Sequence, residues 1–127
     1  FFAVLGVRPA VGRLFAEGED AVGAPRVAVL SHGLWTRQFA ADPGVVGRAV
    51  RLDGAPYTVV GVLPADFQFA PVGAADVWVP IDRPADWRER RGISWFDVVG
   101  RLKPGVALGQ AAREMDAVAA ALAREYP

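Results

Sequence analysis

Few residues in this chain could do chemistry. There is one histidine, His32, one lysine, Lys103, and no cysteine. Thiol catalysis, zinc–thiolate sites and disulfide scaffolds are therefore excluded. A phosphate-binding loop needs glycines ahead of a lysine followed by Ser or Thr, and Lys103 stands between Leu102 and Pro104. Two-histidine zinc chemistry fails on the count alone. His32 as a general base would need a serine in reach, but its neighbour Ser31 is placed to cap a helix and no G-x-S-x-G elbow exists. The expected metal, cofactor and catalytic residues are none.

Three carboxylates, Glu17, Glu19 and Asp20, lie close together, but their spacing lacks the alternating ligands and late glutamate of a calcium loop. They read as the acidic face of a surface loop. A second group, Asp82, Asp86 and Glu89, sits among arginines that would lower the pKa values and make poor general acids. That stretch also holds the candidate partner contact: Trp87, Arg88, Arg90 and Arg91, residue types enriched at interface hot spots. The simpler reading is a solvated charged loop. Interleaved acids argue against nucleic acid as its partner.

With 127 residues, 53% of them hydrophobic and 22% charged, the chain has the size and composition of one globular domain. Fourteen basic residues balance fourteen acidic ones, so no long-range field draws in nucleic acid or an anionic membrane. No apolar run approaches the roughly 20 residues of a membrane helix. The first residue is Phe and no signal peptide is visible, so a segment of a longer protein is the expectation.

Elements follow from pattern and punctuation. Phe1 to Leu5 reads as a helix tail stopped at Gly6, and Gly12 to Pro25 as a loop. Val27 to Leu30 is a continuous apolar tetrad, hence a buried strand. Ser31 then caps a helix whose Trp35 and Phe39, one turn apart, anchor it on the sheet. Asp42-Pro43 starts a short turn. From Arg48 the period becomes two, with Val50 and Leu52 on one face. Asp53-Gly54 predicts a tight hairpin, although Pro56 leaves a four-residue loop open. Tyr57 to Leu63, apolar on both faces, reads as a central strand, with Gly61 marking a bulge or a close backbone approach. Phe67 and Phe69 alternate in an irregular link and tuck under the sheet. Val77 to Ile81, interrupted by Pro80, suits an edge strand. Ser94 to Leu102 reads as a strand, and Leu108 to Tyr126 as an amphipathic helix packing on a sheet. Its mixed polar face argues against a membrane surface.

The ordered set VAVLSHGLWTRQFAADPGVVGRAVRLDGAPYTVVGVLPADFQF, then Val77-Trp78-Val79-Pro80, then Val99-Gly100-Arg101-Leu102-Lys103-Pro104-Gly105-Val106, resembles the MacB-type periplasmic core domain of bacterial ABC permeases, the FtsX-like permeases. The resemblance runs from Phe1-Phe2-Ala3-Val4-Leu5-Gly6-Val7-Arg8-Pro9 to the final helix. It implies an α+β fold in which a β-rich subdomain, 27–81, is inserted into a partial α/β, porter-like subdomain. Residues 1–6 and 94–126 would be parts of that subdomain, and the strand at 94–102 would show an unpaired edge. It further implies a non-catalytic, extracytoplasmic (periplasmic) part of an inner-membrane protein, lying between the first and second transmembrane helices. The implied partners are those helices, a separate ABC ATPase domain or subunit and a second permease copy. The role implied is to transmit ATP-driven movement to substrate export or extraction. No long stalk or adaptor-docking loop is identifiable, so an adaptor protein stays open. A passive extracytoplasmic ligand- or protein-binding module is the alternative; it requires an apolar pocket with a few convergent polar groups, where transmission requires a filled core. An enzyme would require a strongly perturbed titratable group in a cleft.

Overall fold

The computed structural model describes residues 1–69, 73–81 and 97–126. The chain forms two compact units, 1–96 and 97–127.

The first unit is built on one mixed five-stranded sheet. Its strands are β1 (Val11–Gly12), β2 (Val27–Leu30), β3 (Ala49–Leu52), β4 (Ala55–Val62) and β5 (Val77–Trp78). β4 is central, as its two apolar faces predict. It runs parallel to β2 on one side and antiparallel to β1 and β3 on the other. β5 pairs antiparallel with β2 at the edge. The strand expected over Val77 to Ile81 keeps its edge position but ends at Trp78, two residues before Pro80, which cannot donate to a ladder.

All four residues of β2 are buried because the sheet is covered on both faces. On one face Val27, Val29, Val60 and Leu63 join Phe2 of helix α1 (Phe2–Leu5), with Phe15, Phe67 and Trp78 packed around them. On the other, Leu30, Val45, Val59 and Val62 lie beneath Leu34, Trp35 and Phe39. Those last three come from helix α2 (His32–Phe39). The bulge expected near Gly61 is present, and so is the close approach. Ala28 pairs with Val59 but Val29 with Gly61, so Val60 is the extra residue. The extra residue explains why Val59 and Val62, three apart, share a face.

The local signals act as their chemistry requires. Ser31 Oγ accepts from the Leu34 N–H at 3.0 Å. Asp42 caps the 3₁₀ turn Pro43–Val45 by accepting from the Gly44 N–H at 2.8 Å. Asp53 and Gly54, at φ 48° and 81°, form the two-residue loop, since Leu52 already pairs with Ala55. Pro56 therefore lies in the strand opposite Arg51 and does not lengthen the loop. The loop expected from Gly12 begins one residue too early: Gly12 belongs to β1 and pairs with Gly61.

In the second unit, helix α3 (Leu108–Glu125) forms where its periodicity places it. The strand expected over 94–102 is a correction. Residues 97–102 carry no strand and are exposed, and 94–96 lie outside the described residues. Alternation gives a segment two faces, but a strand also needs a neighbour to accept its hydrogen bonds. The described residues of this unit hold no strand, and Leu108, Met115, Val118 and Leu122 on the stripe are exposed.

Candidate functional site

The polar side chains that converge do so at the start of α2. Ser31 leaves β2 in an extended conformation, and its hydroxyl oxygen is taken up by the Leu34 N–H. Its proton goes to Asp76 Oδ1 at 3.1 Å. The Ser31 N–H donates to the Asp76 carbonyl at 2.8 Å. Arg37 Nη2, from the last turn of α2, reaches both Asp76 carboxylate oxygens at 3.0 Å. Asp76 is thereby tied to the N-cap and to the last turn of α2.

His32 takes no part in this tie. Thr36 donates to the His32 carbonyl at 2.9 Å and its hydroxyl lies 3.5 Å from Nδ1. The ring stands edge-on to Trp35, 5.3 Å between centroids. A nucleophilic serine needs its proton directed at a base, whereas Ser31 directs it at a carboxylate already held by an arginine. The Arg37 and Asp76 side chains are 60% and 52% exposed, so this pair is of the weak, solvent-screened kind.

Beside this tie lies a cleft of about 470 Å³. Ser31, His32 and Asp76 line it together with Leu63, Phe67 and Trp78. The volume falls in the range of small-molecule pockets, yet no polar or charged residue among those described is buried. Among the described residues no three His, Asp or Glu side chains are grouped to hold a metal.

The acidic loop is committed elsewhere. Glu19 Oε1 and Oε2 accept from Arg13 at 2.6 and 3.0 Å, and Oε2 also accepts the Ala16 N–H at 2.8 Å. The Arg13 hydrogen bond, chiefly, holds the Glu19 carboxyl below the usual carboxylate range. Glu19 is thus a bracket for its own loop, with its oxygens already taken.

The expected contact residues Trp87, Arg88, Arg90 and Arg91 lie outside the described residues, as do Asp82, Asp86 and Glu89. Sequence reasoning missed the Ser31–Asp76–Arg37 tie. Asp76 follows Ala74 and Ala75 and is 39 residues from Arg37, a separation no local motif encodes. It also missed that Phe1, Phe2, Phe67, Phe69 and Trp78 form one aromatic cluster.

Among the described residues no helix is long and apolar enough to cross a membrane. No match appears among curated proteins. The family of the MacB-like periplasmic core domain matches residues 1–118. That family is a non-catalytic, extracytoplasmic part of ABC transporter permeases, whose ATPase and transmembrane helices lie elsewhere. The match spans the sheet, both of its covering faces and more than half of α3, and the chain accordingly belongs to the MacB-like periplasmic core domain family as an extracytoplasmic part of an ABC transporter permease.

Proposed function

We propose that this domain is a mechanical part, transmitting ATP-driven movement of the membrane helices to the export or extraction of a substrate it does not alter. The observation that carries the reading is the filled sheet. Leu30, Leu63, Val29, Val45, Val59 and Val62 are fully buried across its two faces. Close-packed interiors of this kind deform little and pass on displacement. The same reading assigns a β-rich subdomain to 27–81 and an α/β subdomain to 1–6 and 94–126, with 1–6 docked on the β-rich sheet through Phe2. It has the permease working as a dimer and makes Trp87, Arg88, Arg90 and Arg91 a contact for a protein partner, an adaptor among the candidates. The mechanism rests on likeness of fold.

The cleft beside Asp76 favours a second reading, a passive ligand-binding module, because its aromatic wall and polar rim suit a small amphipathic molecule. The two readings part on nucleotide. A donor dye at Asp53→Cys, on the exposed hairpin tip, reports energy transfer to acceptor lipids in the reconstituted permease with its ATPase. Transmission predicts different transfer in the nucleotide-free and nucleotide-trapped states. Identical transfer in both would sink it and leave the binding module standing.

A further inference from the structure

The first turn of the chain carries the marks of a hinge. α1 is four residues long, too short to hold itself together, and is followed by Gly6 in the left-handed region and by Pro9. The packing around it is that of a fixed joint. Phe2 is 3% exposed and sits in one core cluster with Val27, Val29, Val60 and Leu63. Its ring meets Phe15, Phe67 and Trp78 at centroid distances of 5.6, 5.7 and 5.6 Å. Phe1 adds a second attachment, stacked on Trp78 at 5.5 Å and edge-on to Phe69 at 5.0 Å.

The backbone after the helix is held as well. The Val7 N–H donates to the Phe2 carbonyl and the Gly6 N–H to the Ala3 carbonyl, both at 3.1 Å. These are the paired bonds that close a helix on a left-handed residue. Three residues on, the Ala10 N–H donates to Val62 at 2.8 Å, and the Arg13 N–H to Val60 at 2.9 Å. Gly6 and Pro9 therefore lie between two anchored points on the same sheet.

We infer that Phe2 and Trp78 form an aromatic clasp that makes α1 and the sheet one rigid body. Displacement arriving at α1 is then delivered to β2 and β4, with nothing absorbed at Gly6. This joint rests on the transmission reading for its purpose, and on the ring and backbone contacts for its rigidity.

The test uses the full-length permease with its ATPase, spin-labelled at Ala3→Cys on α1 and Asp53→Cys on the hairpin tip, with cysteines outside this chain replaced. The label-to-label distance is measured without nucleotide and with nucleotide trapped. One narrow distance, the same in both states, is expected. Phe2→Ala should broaden it and Phe2→Leu should keep it narrow. A distance that differs between the two states in the otherwise unaltered protein would overturn the joint, and that comparison requires no substitution in the core. A narrow distance surviving Phe2→Ala would equally remove the clasp. Failure of the transmission reading looks different: the hairpin tip would keep one height above the membrane while the Ala3-to-Asp53 distance stayed narrow.

Discussion

Gly61 lies against the backbone of Arg13 so closely that a Cβ on Gly61 would occupy the place of the Arg13 carbonyl. The Arg13 carbonyl carbon and nitrogen would stand within 2.9 and 3.0 Å of the same atom. Backbone cannot swing aside as a side chain can. Gly61→Ala should therefore destabilise the chain by about 3 kcal/mol, near the upper end for forcing volume into a packed interior. Chemical denaturation of the purified domain checks this; a loss under about 1 kcal/mol would show that the strands part easily there.

Trp35 joins two elements by one atom. Its Nε1 donates to the Asp42 carbonyl at 2.9 Å while the ring packs on the cluster of Leu30 and Val59. Trp35→Phe removes the bond and leaves most of the packing, so a loss of about 1 kcal/mol is expected. Trp35→Ala removes both and should cost about 3 kcal/mol. Equal losses from the two variants would mean that packing contributes little.

Ser31→Ala deletes the helix cap and the bond to Asp76, and should lower stability by about 1 kcal/mol. Arg37→Ala breaks only an exposed ion pair, for which a change below about 1 kcal/mol is expected. A double-mutant cycle of Arg37 and Asp76 measures that coupling directly.

Glu19 makes stability depend on acid. Its folded pKa is lowered by the Arg13 hydrogen bond, so folding favours the ionised carboxylate. The contribution is complete above the ordinary glutamate value of about 4.3 and is lost as pH falls through the lower, folded value. Glu19→Gln should thus be less stable than the natural chain at neutral pH, with the gap closing in strong acid. Denaturation midpoints of both proteins across that range decide it; a gap independent of pH would mean the carboxylate charge is idle.

Short-range chemistry made much of the first unit legible beforehand. Ser31 and Asp42 cap, Asp53-Gly54 turns, and Val27 to Leu30 is buried as one apolar run, because each depends on neighbours within a few residues. Gly61 pointed to a bulge or a close approach; the close approach is its own, to Arg13, and the bulge lies one residue before it at Val60. What stayed hidden depends on long separations: Asp76 meeting Arg37, Gly12 pairing with Gly61, and Phe2 reaching Trp78. The segment expected to be a strand up to Leu102 shows the complementary error. Its alternation was real, but alternation says which faces a strand would have and leaves the partner unspecified.

The most direct test of the account follows the hairpin tip during turnover. A single reconstituted permease with its ATPase, carrying a donor at Asp53→Cys over acceptor lipids, is watched while ATP is hydrolysed. The account predicts two alternating heights of the tip above the membrane, interchanging at a rate that follows ATP concentration. One unchanging height during active hydrolysis would contradict it.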